Sequence, residues 1–132
     1  MIKTIVAITA VAMIGYMTSS AGLVNWQEYD EALVAQAASE RTTVIYFTAT
    51  TWCPTCVVVD RTVLKNPEAY ERLNEFPIFK LNMDNHEPWM WKLLSKYKSY
   101  GIPTMVVLYP DGTFKTLVVP TTKEILKYVV DR

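Results

Sequence analysis

The chain has little with which to hold a metal. It contains one histidine, His86, and two cysteines, Cys53 and Cys56. A structural zinc site takes four Cys or His ligands. Three soft ligands leave such a site one short, and a carboxylate would have to complete it. Covalent haem attachment needs a histidine directly after the second cysteine of a C-x-x-C pair, and that position is Val57. Four glycines are scattered and form no phosphate-cradling loop. The chain also lacks charge of one sign. Thirteen basic residues balance 13 acidic ones, which gives no electrostatic case for a nucleic-acid partner. There is no internal repeat and no low-complexity tract. The six methionines are scattered and read as gap-fillers in apolar packing.

A long hydrophobic run is missing too. Ile5 to Met17 is mostly aliphatic, but its 13 residues fall short of the roughly 20 that a helix needs to cross a bilayer core. Lys3 precedes it, and Thr18-Ser19-Ser20-Ala21 follows it with small residues at the two positions a signal peptidase reads. That order reads as a secretory signal over residues 1–21. The uncharged stretch continues through Val24, so an uncleaved anchor formed by residues 5–24 is the alternative. Either reading places residues 22–132 outside the cytoplasm, periplasmic or otherwise extracytoplasmic, where disulfides persist.

What is present is apolar sequence with clear punctuation. Half the chain is hydrophobic, enough for one domain with its own core. Asn25 and Glu28 have the spacing of a capping box, with Trp26, Tyr29, Leu33 and Ala37 on one face of the expected helix. Thr43–Thr48 (TVIYFT) reads as a buried strand. A helix follows from the cysteines, and Asn66-Pro67 opens another. Phe76–Met83 reads as a strand, and Pro88 suits the first turn of a helix to about Tyr97. Thr104–Tyr109, a turn at Pro110-Asp111-Gly112-Thr113 and Phe114–Val119 make a hairpin. Thr121 and Glu124 form a second capping box. Long crossovers imply parallel pairing and the hairpin an antiparallel edge. The expectation is an α/β fold, a mixed four-stranded sheet with helices on both faces.

The cysteines lie three apart in TTWCPTC, behind Trp52. A structural disulfide is the plain alternative. Closing so short a loop is worth only about 2 kcal/mol in the chain-entropy model. A redox pair has a stronger physical basis. A cysteine at a helix N-terminus meets the positive end of the macrodipole and unpaired N–H groups, which favour thiolate. Cys53 would stand at that start and attack a partner disulfide. Cys56, one turn later and more buried, would resolve the mixed disulfide. Pro54 lacks an N–H and fits the first helical turn.

Phe47-Thr-Ala-Thr-Thr-Trp-Cys-Pro-Thr-Cys56 resembles the active-site segment of the thioredoxin-like family. Gly101-Ile-Pro-Thr104 resembles that family's cis-proline loop, and Lys80-Leu-Asn-Met-Asp84 its second strand. The likeness covers about residues 25–131. It is nearest in character to exported thioredoxin-like proteins and to the C-terminal domain of the bacterial transmembrane thiol-reductant carrier. The resemblance implies a protein thiol–disulfide oxidoreductase with no cofactor, working as a monomer. Its implied partners are proteins bearing thiols or disulfides, or a membrane redox partner. It implies Cys53 as nucleophile and Cys56 as resolving thiol, with Pro54 and Thr55 between them. Trp52 flanks the site. Pro103 is implied to be cis, and the Ile102 backbone to pair with an extended substrate segment.

The chain departs from the family at Tyr46, at Pro54-Thr55 and in a segment before Trp52 one residue longer than in cytosolic thioredoxin, a length that some exported relatives share. Tyr46 falls where thioredoxins carry a buried Asp that moves a proton for the resolving cysteine. A tyrosine is a poor base near neutral pH, so water or another group must serve. Asp60, one turn after Cys56, is the candidate, against the plainer reading of a solvated helix residue. Pro54-Thr55 matches neither the Gly-Pro of reducing thioredoxins nor the Pro-His of the strong periplasmic oxidase, so it fixes no direction of electron flow. A binding or assembly module of the same fold, without redox turnover, is the competing function. His86 reads as a surface residue at a helix start, and most of the Trp89–Tyr97 aromatic set as packing, with Trp91 off the core face.

Overall fold

The computed structural model describes residues 24–132. The expected signal segment, residues 1–21, lies outside the described residues. Ten elements follow in order: β1 (Gln27–Glu28), α1 (Glu31–Glu40), β2 (Thr43–Thr48), α2 (Pro54–Arg61), α3 (Pro67–Asn74), β3 (Ile78–Asn82), α4 (Pro88–Lys96), β4 (Thr104–Leu108), β5 (Phe114–Val118) and α5 (Thr122–Tyr128).

Strand β2 lies at the centre of the sheet. All six of its residues are buried, because helices cover both faces and leave neither to water. Its side chains alternate. Val44 and Tyr46 enter a core with Val59, Leu73, Met105, Leu117 and Ile125, under α2, α3 and α5. Ile45 and Phe47 enter another with Val34, Phe79, Met90, Leu94 and Val106, under α1 and α4. β2 pairs parallel with β3, Tyr46 opposite Lys80, and antiparallel with β4, Tyr46 opposite Met105. The parallel pairing brings the C-terminal ends of β2 and β3 side by side. Everything that follows at the site depends on this.

The sheet has five strands, in the order β1-β3-β2-β4-β5, not four. The fifth comes from the expected first helix. Asn25 does not cap it. The Asn25 N–H donates to Asn74 Oδ1 at 2.8 Å, Trp26 stacks on Tyr46 with centroids 5.2 Å apart, and Gln27–Glu28 pair parallel with β3. The helix starts five residues later, where Asp30 Oδ1 accepts the Leu33 N–H at 3.0 Å. Two N-cap patterns compete here. The buried aromatic stack and the free edge of β3 draw the first into extended chain. The buried residue of α1 is Val34, and Leu33, expected on the core face, is exposed.

Other boundaries follow their local signals. Pro54, Pro67 and Pro88 each stand in a helical first turn, where the missing N–H costs nothing. Thr121 and Glu124 cap α5 reciprocally, each bond 3.1 Å. Gly112, at φ +89, closes the hairpin turn in a conformation that a side chain would strain. Among the described residues no helix is long and apolar enough to cross a membrane.

Candidate active site

The site forms where β2 runs out. Ala49 is fully buried, Thr50 and Thr51 surface, and Trp52 leads into α2. Cys53 is the N-cap of α2, with extended backbone, and its Sγ accepts the Cys56 N–H at 3.2 Å. A sulfur thus takes the place usually held by a Ser or Asp oxygen. Cys53 and Cys56 are joined in a disulfide, their Cα atoms 5.3 Å apart. Cys56 is fully buried and Cys53 is 7% exposed, so the outer sulfur belongs to Cys53. Pro54 and Thr55 are both exposed.

The second wall is the loop before β4. The Ile102–Pro103 peptide bond is cis. The Ile102 carbonyl oxygen stands 3.8 Å from Cys53 Sγ, and the Ile102 side chain packs against Ala49, Cys53 and Cys56. Thr104 Oγ1 donates to the Gly101 carbonyl at 2.7 Å and shares a 2.8 Å bond with Ser99 Oγ. The Pro103 carbonyl accepts the Val119 N–H at 2.9 Å. The loop is thereby held from both sides. Cys53, Cys56, Ile102 and Pro103, separated by nearly 50 residues, are brought together.

Trp52 flanks the pair as expected. Its indole N–H donates to the Met83 carbonyl at 3.2 Å, and the ring is 36% exposed. His86 is exposed two residues before α4, as expected, but it is not alone. At φ +52 it turns its ring onto Trp52, with centroids 4.3 Å apart, and lies 6.2 Å from Trp91. The three rings make an aromatic ledge beside Cys53. Among the described residues no group of three or more His, Cys, Asp or Glu side chains is placed to hold a metal ion.

Two acidic residues stand close to this machinery. Asp84 accepts bonds from the N–H and the hydroxyl of both Thr50 and Thr51, at 2.8 to 3.0 Å. These bonds, led by the Thr51 N–H, hold its carboxyl well below the usual carboxylate range. Asp84 had no place among the expected site residues. It stands 34 residues from Thr50 in sequence, and no local pattern links the two. Only the parallel β2–β3 pairing does. Asp60 is half-buried and accepts the Tyr46 hydroxyl at 2.9 Å, so it is not a freely solvated helix residue. Burial first, and the Asp60 charge second, push the Tyr46 phenol far above its ordinary range. Tyr46 therefore stays a neutral donor.

This arrangement can be set beside known proteins. A curated relative from Photorhabdus laumondii, a thiol:disulfide interchange protein DsbD, is 26% identical over 88 residues, 67% of this chain and 15% of that protein. The chain spans only 11% to 15% of the length of the curated relatives it matches. The C-terminal domain of Neisseria meningitidis DsbD in the oxidised form superposes with a TM-score of 0.61 at 24% identity, covering 80% of this chain and 99% of that one. A thioredoxin from Thermus thermophilus gives 0.59 at 28% identity, covering 82% and 85%. A family model described as thioredoxin-like matches residues 25–110. The strand that delivers the cysteines, their helix and the loop carrying Ile102 and Pro103 all lie within that match, and the chain belongs to the thioredoxin-like family.

Proposed function

We propose that the protein is a thiol–disulfide oxidoreductase acting on exported proteins or on a membrane redox partner. One observation carries this most directly. Cys53 Sγ caps α2, accepts a backbone N–H at 3.2 Å, lies 3.8 Å from the Ile102 carbonyl oxygen and belongs to the more accessible cysteine of the pair. The same N–H and the helix dipole that it meets in the disulfide would stabilise a thiolate after reduction.

The chemistry runs in two exchanges. Cys53 thiolate attacks one sulfur of a partner disulfide, forming a Cys53–partner bond and releasing the other partner sulfur as thiolate. Cys56 then attacks Cys53 Sγ, re-forming the internal disulfide and releasing the second partner sulfur. The Cys56 proton ends on a departing thiolate. Two electrons leave the cysteine pair and reduce one partner disulfide, and the same steps in reverse oxidise a partner dithiol. Cys56, fully buried, reaches only the Cys53 sulfur and not the partner directly. Trp52 and the partly buried Ile102 frame the approach of an extended partner segment.

Residues 1–21 act as an export signal or anchor in this reading, and residues 22–132 work as a monomer outside the cytoplasm. The test is capture. A Cys56→Ser chain expressed in its own cells should accumulate disulfide-linked partners that vanish on reduction, while Cys53→Ser should hold none. Equal capture by the two variants, or capture by neither, would overturn the assignment and favour a binding module of the same fold.

A further inference from the structure

We propose that Asp84 is the positioning residue for Cys53, acting through the Thr50–Thr51 segment. This rests on the reading of Cys53 as the attacking thiol. The carboxylate takes four hydrogen bonds from two consecutive residues, one bond from each N–H and one from each hydroxyl. Those two residues are the whole of the exposed chain between buried Ala49 and Trp52. Its neighbour Met83 takes a fifth bond, from the Trp52 indole. Asp84 is itself fixed, its N–H donating to Asn82 Oδ1 at 2.7 Å. The end of β3 therefore grips every residue from Thr50 to Trp52, and Cys53 is next.

The grip answers a specific need. A loop of polar residues leaving a strand has two unpaired N–H groups and no reason to choose one path. Cys53 must nevertheless present Sγ to the helix N-terminus, since misplacement of a reacting group by about 1 Å can cost on the order of a hundredfold in rate. Ionised hydrogen-bond acceptors give the shorter and stronger bonds, and a carboxylate has lone pairs enough for all four donors. A negative charge near a thiolate would by itself raise the thiol pKa. The two effects thus have opposite signs, and the sign of a measured shift separates them.

The experiment follows the alkylation rate of Cys53 against pH in the reduced full chain, with iodoacetamide as probe and peptide mass spectrometry to assign the site. In the unsubstituted protein the midpoint should lie below the roughly 8.5 of a free cysteine. Asp84→Ala should move it upward by about half a unit or more, the size of a lost helix-terminus interaction. Asp84→Asn retains acceptor capacity without the charge and should stay nearer the original. A downward shift with Asp84→Ala would mean that the carboxylate acts by charge, and no shift that it is a structural bystander. Either result overturns the proposal, as does an equal upward shift in both variants. Should Asp84→Ala fail to fold, Thr50→Ala/Thr51→Ala removes the hydroxyl donors alone. It should give a smaller upward shift, and none would again overturn the proposal. If unsubstituted Cys53 shows no reactive thiolate, the redox reading itself fails. If it does and Asp84→Ala leaves it unmoved, only the role of Asp84 fails.

Discussion

Replacing Tyr46 by Phe removes a single oxygen from the centre of the domain. The ring keeps its place under α2 and its stack on Trp26, 5.2 Å away. What is lost is the 2.9 Å bond to Asp60 Oδ1. Bonds to charged groups are worth about 1.5–3 kcal/mol. Asp60 is half-exposed and can turn to water, so the lower end applies, about 1.5 kcal/mol at pH 7. The pH dependence adds a second signature. The Tyr46 phenol is raised in the folded protein by burial and by Asp60. Folded protein then holds a proton that the unfolded chain releases above about pH 10. Stability is complete below that pH and falls as pH rises, by about 1.4 kcal/mol per unit for one group. Tyr29, Tyr97 and Tyr109 are raised too, chiefly by burial, and they steepen the decline in both proteins equally. The variant lacks only the Tyr46 contribution. Less stable at neutral pH, it should draw level near pH 11 and exceed the parent beyond it. Urea unfolding of the oxidised proteins at pH 7, 10, 11 and 12 reads this directly. Parallel curves, or equal stability at pH 7, would refute the role given to the Tyr46–Asp60 bond.

Other substitutions test separate parts of the account. Trp52→Ala should slow exchange with a disulfide-bonded protein much more than with a small-molecule disulfide, because the ledge serves partner approach and not sulfur chemistry; stopped-flow rates for both substrates give the comparison. Leu94→Ala, at a fully buried position on the inner face of α4, should cost about 2–5 kcal/mol by urea unfolding. Thr121→Ala, which breaks the reciprocal cap of α5, should cost about 1 kcal/mol by the same assay.

The parts of the fold legible in the sequence are those governed by neighbours along the chain. TVIYFT could be read as a buried strand because β-branched and aromatic residues at every position suit an element covered on both sides. Thr121 and Glu124, three residues apart, state their own cap. The N-terminal helix failed for the converse reason. Asn25 and Glu28 satisfy a local pattern, but Trp26 finds the ring of Tyr46, far along the chain, and β3 offers an edge to pair with. The cysteines, Trp52 and the Ile102–Pro103 loop were legible through motif resemblance. Asp84 and the His86 ring were not. Their positions beside Thr50 and Trp52 exist only because β2 and β3 lie parallel with their ends together, and no spacing within either segment encodes that. Tyr46 stands out in the sequence as a departure at its position, whereas its bond to Asp60 exists only with α2 packed above it.

The most direct test of the redox reading is the equilibrium between Cys53–Cys56 and defined glutathione or dithiothreitol buffers. A reversible two-electron couple between about −270 and −120 mV is predicted, with a value near the lower limit marking a reductant fed by a membrane donor and one near the upper limit an oxidant of folding proteins. A pair that shows no reversible exchange with either buffer would contradict it and leave TTWCPTC as a structural staple.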